Sequence, residues 1–173
     1  ILKHARAIYL PFIAFNFFTY QIIQMTPDLQ IVFSELRNQW NNIVFSRIEI
    51  QSAGQETRLY EKQVIFDVTR VYPKIQTPNG REMYLPREFI WQYQENDEVV
   101  FHLQAQSRGD YKFGLAAGYV GSFNYQLFWK NENYEGSGYC DYVDCRPLHW
   151  QEKSKIEQIM DQIPHFQPYL CKK

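Results

Sequence analysis

Alternation of large apolar residues with polar ones in the middle of the chain is the feature that most restricts its fold. The clearest alternating segments lie on either side of the turn sequence Glu95-Asn96-Asp97. Their apolar residues are Phe89, Trp91, Tyr93, Val99, Phe101 and Leu103. Because successive side chains of a β-strand point to opposite faces, this spacing places each apolar set on one face. The pattern predicts a β-hairpin, and residues 123–129 repeat the same period.

Turn signals divide the surrounding chain into further strands. Ser52-Ala53-Gly54, Thr77-Pro78-Asn79-Gly80 and Arg108-Gly109-Asp110 contain residue types that favour tight bends. They indicate a meander of about seven or eight strands over residues 43–143. Helices do not alternate with these strands, which argues against a parallel nucleotide-binding sheet. We therefore predict an α+β fold: an antiparallel β-meander, as a curved sheet or small lipocalin-like barrel, with two N-terminal helices and one C-terminal helix.

The first 25 residues differ from the rest. Residues 7–23 are 17 consecutive positions without a charge, and Lys3 and Arg6 precede them. A membrane-spanning helix needs about 20 apolar residues, so this run is marginal as a span. We predict an apolar helix over residues 1–25, either a membrane anchor with its amino end on the cytoplasmic or matrix side, or a helix packed within protein. Residues 26–173 are predicted to form one β-rich domain with flanking helices.

Two further segments have helical patterns. Thr26-Pro27-Asp28 has the residue types of a helix start, and apolar residues follow at helical spacing. These are Leu29, Val32, Phe33, Leu36 and Trp40. Near the C-terminus, Ser154 and Glu157 have the spacing of a capping box, and Pro164 would end that helix.

Charge and motifs argue against several functions. The chain has 18 basic and 19 acidic residues and a net charge of -1, which does not suit a nucleic-acid binder. Phosphate-loop, nucleophile-elbow, zinc-protease and EF-hand motifs are all missing from the sequence. His102, Asp67 and Tyr119 are weak candidates for acid–base chemistry, and a solvated or core histidine is the more ordinary interpretation. We therefore predict no cofactor and assign no catalytic residue.

The cysteines allow three interpretations. Cys140, Cys145 and His149 have the spacing C-x4-C-x3-H, and Cys171 follows later. Four such ligands could hold zinc, although the first gap is longer than the usual one. A disulfide between Cys140 and Cys145 is the better functional interpretation if the domain faces an oxidising space. The third interpretation is free thiols, and no metal site is predicted.

Aromatic residues make up 17% of the chain, and those on alternating strands are the candidate ligand-binding residues. With His102, this set comprises Trp91, Tyr93, Phe101, His102, Tyr125 and Trp129. In a curved barrel they would line a cavity for an apolar or planar ligand. They would equally fill a solid core or face a protein partner.

Two functional hypotheses follow. The favoured one is a non-catalytic, membrane-associated accessory or assembly subunit of a larger complex, located at an organellar or bacterial inner membrane and acting through protein contacts. The alternative is a lipocalin-like barrel that binds a small apolar or planar ligand, including the case of a small-molecule enzyme. Neither hypothesis involves nucleic acid.

Overall fold

The computed structural model describes residues 15–96, 98–114 and 118–146. Within these ranges the regular elements are twelve β-strands, with no helix. They are β1 (Phe15–Thr26), β2 (Leu29–Asn38), β3 (Ile43–Ser52), β4 (Arg58–Tyr60), β5 (Val64–Val71), β6 (Ile75–Gln76), β7 (Glu82–Met83), β8 (Pro86–Glu95), β9 (Glu98–Ser107), β10 (Lys112–Phe113), β11 (Tyr119–Trp129) and β12 (Glu132–Asp144). The predicted α+β class is therefore wrong, and the described part of the chain is all-β.

Ten of the strands form one antiparallel sheet that curls into a half-barrel. The strand order is β4-β3-β2-β1-β12-β11-β9-β8-β5, with β10 paired to β11, and β6 and β7 form a separate pair. The curl brings the two halves of the sheet face to face: the ring of Phe17 on β1 stacks on Phe66 of β5 with centroids 5.8 Å apart. The rings of Phe33 on β2 and Trp91 on β8 are also in contact, with centroids 5.4 Å apart. The expectation of a curved antiparallel meander thus fits in part.

The segment predicted as an apolar N-terminal helix is strand β1 over its described part, residues 15–25. This strand pairs with β2 on one side and β12 on the other, so it lies well inside the sheet. Phe17 and Ile23 are fully buried on the inner face, while Phe18 and Ile22 are partly buried on the outer face. Because both faces of β1 are largely covered, its sequence lacks the simple alternation that marks a half-exposed strand. Residues 1–14 lie outside the described part of the chain.

The membrane anchor predicted over residues 7–23 is corrected in its described part, residues 15–23, which form a strand and not a helix. Among the residues that the structure describes, none forms a helix with the length and apolar character needed to cross a membrane. The transmembrane helix is therefore a wrong prediction for the described residues.

The second predicted helix is strand β2. Ile31 and Phe33 face inward and Val32 and Leu36 outward, and all four are buried, so the strand presents apolar residues on both faces. That continuous pattern also satisfies the helical spacing, which is why the sequence was misleading. Thr26, predicted to cap this helix, lies instead in the β1–β2 turn, where its Oγ1 accepts a hydrogen bond from the N–H of Asp28 at 3.3 Å. The predicted C-terminal helix, residues 154–163, lies outside the described residues.

The inner face of the half-barrel is a packed aromatic core with one polar chain through it. Trp91 is fully buried, and its Nε1–H donates to Gln21 Oε1 at 2.9 Å. Gln21 Nε2 donates in turn to Thr19 Oγ1 at 3.0 Å, and Thr19 donates to the carbonyl of Asp141 at 3.0 Å. Each buried polar group on this path therefore has a partner, as buried polar groups require.

Candidate functional site

One end of the half-barrel carries a pocket walled by aromatic rings, named here the aromatic pocket. Its volume is about 190 Å³. The lining residues come from β3, β4, β8, β9, the end of β11 and the β11–β12 turn: Ile48, Tyr60, Tyr93, Glu95, Val100, Phe101, Trp129 and Lys130. Two tight hairpin turns lie beside the pocket, the β8–β9 turn and the β11–β12 turn. Asn96 in the first and Lys130 in the second both have positive φ angles. The pocket thus lies where three hairpins approach one another.

The rings of the aromatic pocket form two tilted pairs. Tyr60 and Tyr93 have ring centroids 4.5 Å apart at an interplanar angle of 43°. Phe101 and Trp129 are 6.5 Å apart, and Lys130 Nζ lies 4.3 Å from the centre of the Trp129 ring. Such ring faces suit contact with another planar group and with cations.

Polar groups at the rim provide orientation. Partial removal of water, together with the nearby Glu95 carboxylate, raises the pKa of the Tyr93 hydroxyl. Tyr93 therefore stays protonated at neutral pH and can donate a hydrogen bond. Glu95 and Lys130 add one acceptor group and one cation to the lining. The arrangement offers binding and orientation, and it contains no nucleophile paired with a base.

The opposite end of the half-barrel holds a buried charged cluster. Arg146 donates to both carboxylate oxygens of Asp144 at 2.7 Å, and the Tyr142 hydroxyl donates to Asp144 Oδ2 at 3.0 Å. Arg37 donates to Glu35 Oε1 at 2.6 Å. The guanidinium groups of Arg37 and Arg146 lie 5.7 and 4.3 Å from the centre of the Phe17 ring. Opposite charges are therefore paired around one aromatic ring.

Burial sets the electrostatics of this charged cluster. Burial alone would lower the pKa of Arg146, but the hydrogen bonds and charge of Asp144 reverse that effect and raise it. Burial raises the pKa of Tyr142 far above its ordinary value, so its hydroxyl remains a donor. Glu35 Oε2 and Ser46 Oγ, which face each other across the β2–β3 pair, are buried without a partner among the described residues. The cluster is mainly a set of structural ion pairs.

The predicted ligand-binding residues separate into three locations. Tyr93, Phe101 and Trp129 line the aromatic pocket. Trp91 is in the packed core. Tyr125 and His102 line a second opening across β5, β8, β9, β11 and β12, named here the outer trough. Tyr60 and Ile48 were not predicted, because their closeness to Tyr93 depends on the curl of the sheet. Lys130 was not predicted either, although it directly follows Trp129 in the sequence.

The weak catalytic candidates do not converge. His102 on β9 and Asp67 on β5 both line the outer trough, but β8 lies between their strands, which places those strands about 10 Å apart. Tyr119 is buried at the far end of β11. Burial lowers the pKa of His102, so its imidazole is neutral at pH 7. No hydrogen bond joins His102 to a carboxylate within the described part of the chain.

Cys140 and Cys145 are free thiols in the structure. Cys140 lies within β12, and the extended strand from 140 to 144 spans roughly 13 Å, whereas a disulfide needs Cα atoms within about 7 Å. Cys145 Sγ instead accepts a hydrogen bond from Arg81 Nη1 at 3.2 Å. In residues 15–96, 98–114 and 118–146, no group of three histidine, cysteine or carboxylate side chains could hold a metal ion. The other zinc candidates, His149 and Cys171, lie outside these ranges.

The charged cluster was also missed, although the sequence contains a signal for it. Glu35-x-Arg37 and Asp144-x-Arg146 have the same spacing, which places acid and guanidinium on one face of an extended chain. The helix predicted from Thr26 to Trp40 conceals the first pair, because residues two apart do not share a face of a helix.

The fold and its pocket define a curled antiparallel half-barrel protein with an aromatic opening. The chain belongs to DUF6670, a family of unknown function, whose sequence profile matches residues 1–157. No curated protein matches the sequence. A matching solved structure is the crystal structure of a protein from Nitrosomonas europaea provisionally named AttH, with a TM-score of 0.56 and 13% sequence identity.

The likeness to the Nitrosomonas europaea protein covers 75% of this chain and 38% of that one, so the chain spans well under half of its length. At this level of identity the likeness shows a shared fold and carries no function across.

Proposed function

We propose that this protein is a non-catalytic binding protein that holds a small planar ligand in the aromatic pocket. The observation that carries this proposal is the lining of two tilted ring pairs, Tyr60 with Tyr93 and Phe101 with Trp129, around an open volume of about 190 Å³. Rings that face a cavity provide large contact areas with little loss of conformational freedom. They therefore favour a flat, largely apolar ligand.

The size of the aromatic pocket limits the ligand. Its volume is about six times the volume that one molecule occupies in liquid water. Drug-sized ligands occupy pockets of about 300–1,000 Å³, so the ligand is smaller, with one or two rings. Lys130 and Glu95 at the rim suit a ligand that carries one polar substituent.

A filling substitution tests the proposal. Val100 lines the aromatic pocket, whereas its neighbour Val99 does not and is exposed. Val100→Phe should occupy the volume and weaken binding at least tenfold, while Val99→Phe adds the same bulk outside the lining and should leave binding unchanged. Titration of the ¹⁵N-labelled protein with indole, coumarin and 2-naphthol, followed by amide shifts around Trp129, measures the affinity.

The proposal is wrong if none of these probes shifts the amides of residues 93–101 and 129–130 at millimolar concentration. It is also wrong if Val100→Phe and Val99→Phe bind a probe equally well, because the probe would then be bound elsewhere.

A second candidate function, contact with a partner protein as an accessory subunit, is favoured by the β2–β3 turn. Trp40 is 72% exposed there, and Ile43 and Val44 beside it are also largely exposed. Exposed apolar residues in a group are typical of interaction sites, and tryptophan is enriched among the residues that dominate binding energy. A photo-crosslinking amino acid at position 40 should capture one protein in cells. The same probe at exposed Leu59 is the control, and equal capture at both positions would contradict this function.

A further inference from the structure

The outer trough is the second opening of the protein, and it crosses the outer face of the sheet away from the aromatic pocket. Its volume is about 990 Å³, and its lining comes from β5, β8, β9, β11 and β12. These five strands are consecutive neighbours in the sheet, in the order β12-β11-β9-β8-β5. At a spacing of about 4.8 Å, the outermost strands lie roughly 19 Å apart. The trough is therefore long and open, unlike the compact aromatic pocket.

The floor of the outer trough consists of cross-strand rows of amide and hydroxyl side chains. Gln104 on β9 is paired with Gln126 on β11. In the next row, Gln106 is paired with Asn124, and Asn124 with Ser137 on β12. Paired side chains of one face have Cβ atoms about 5 Å apart, so each row presents a continuous polar strip.

A surface arginine fixes part of this lining. Arg108 donates from Nε and Nη2 to Asn124 Oδ1 at 2.9 and 2.8 Å, and from Nη2 to Ser137 Oγ at 2.7 Å. The amide oxygen of Asn124 is thereby engaged, and its NH₂ group is left as a donor. Within the described part of the chain, no hydrogen bond engages the amides of Gln104 and Gln126. These groups can each donate and accept toward a ligand.

The charge of the outer trough does not favour anions. Three carboxylates, those of Asp67, Glu88 and Glu135, line it. Two guanidinium groups oppose them: Arg70 is paired with Glu88 at 3.3 Å, and Arg108 donates to Asn124 and Ser137 of the lining. His102 adds a neutral imidazole, because burial lowers its pKa. The small excess of negative charge disfavours phosphates and nucleic acids, and the many polar side chains of the lining do not suit a purely apolar ligand.

We propose that the outer trough binds a neutral, polyhydroxylated chain, which in chemical class is an oligosaccharide. Sugar hydroxyls both donate and accept, as the glutamine and asparagine amides do, and carboxylates accept strongly from hydroxyls. The length of the trough accommodates a linear ligand across several strands. Ile90 in the lining, and Phe128 paired with His102 beside it, offer apolar contact to the C–H faces of sugar rings.

Paired surface substitutions test this site. Gln104→Ala/Gln126→Ala removes two opposed amides, and Gln55→Ala/Gln76→Ala removes two exposed glutamines outside the trough. An array of neutral and acidic linear oligosaccharides, followed by calorimetry with the best-retained compound, gives affinities. We expect retention of a neutral oligosaccharide, at least tenfold weaker binding to the trough variant, and unchanged binding to the control variant. Equal thermal unfolding midpoints would show that both variants are folded.

The proposal is overturned if no neutral oligosaccharide is retained, if acidic ones bind better, or if the trough and control variants bind alike. Val100→Phe should leave oligosaccharide binding unchanged, so the outer trough and the aromatic pocket can fail independently.

Discussion

At the scale of single residues, burial decides which side chains can react. Cys140 is fully buried on the inner face of β12, and burial raises the pKa of its thiol to about 12. The thiolate is the reactive form, so Cys140 is inert near pH 8 in the folded protein. In a Cys145→Ser/Cys171→Ser variant, where Cys140 is the only thiol, we expect no reaction with Ellman's reagent at pH 8 until denaturant is added. Reaction in the native state at the rate of a free thiol would contradict the buried placement.

The ion pair of Asp144 and Arg146 shows what burial does to charge. Their side chains are 4% and 13% exposed, and two hydrogen bonds join them. Removing one partner leaves an uncompensated buried charge, so we expect Asp144→Ala to lower the free energy of unfolding by about 3–5 kcal/mol. The control is Glu49→Ala, which breaks a pair of the same spacing with the more exposed Arg47 and should cost below about 1 kcal/mol. Urea denaturation measures both, and equal losses would mean that Asp144 is solvated.

At the scale of elements, the β11–β12 hairpin depends on its two turn residues. Lys130 and Asn131 have φ angles of 55° and 62°, between the paired residues Trp129 and Glu132. Such a turn favours asparagine and glycine, because a side chain in the left-handed region costs roughly 1–2 kcal/mol. We expect Asn131→Val to lower the free energy of unfolding by about that amount, while Asn131→Gly keeps or raises it. Thermal unfolding checks both, and a harmless Asn131→Val would mean that the turn has a different conformation.

The same hairpins show how much of the fold the sequence predicts. The pairing of β8 with β9 is confirmed, because each strand has one buried and one exposed face and keeps a period of two. Strands β1 and β2 were wrongly predicted as helices, for the opposite reason. Both lie inside the sheet with apolar residues on both faces, so the alternation disappears and helical spacing fits as well. The alternation of apolar and polar residues arises because one face of a strand is exposed. A strand that is covered on both faces therefore lacks it.

In the whole molecule, the aromatic pocket depends on contacts between strands that are distant in the sequence, and no local sequence pattern reveals such contacts. The aromatic pocket requires Tyr60 of β4 beside Tyr93 of β8, although these strands are not paired. The curl that brings them together comes from core contacts such as Phe17 with Phe66. The sequence could therefore identify aromatic side chains that share a strand face, but not which of them leave an opening and which close the core.

Trp91 is the core residue that contacts both halves of the curled sheet. Its ring lies 5.4 Å from Phe33 and 4.6 Å from Phe66, and its N–H donates to Gln21. Trp91→Ala should lower the free energy of unfolding by about 3–5 kcal/mol through the cavity that it leaves. Trp91→Phe should cost less, but it leaves the buried Gln21 oxygen without its donor, a penalty of about 1–3 kcal/mol.

The double variant Trp91→Phe/Gln21→Leu separates packing from hydrogen bonding. Replacing both polar partners removes the unsatisfied group, so Gln21→Leu should be less destabilising in the Trp91→Phe background than in the original protein. A double-mutant cycle from urea denaturation, monitored by circular dichroism, measures that difference. If the two substitutions are additive, the polar chain from Gln21 to Trp91 does not couple the halves of the sheet, and ring packing alone maintains the curl.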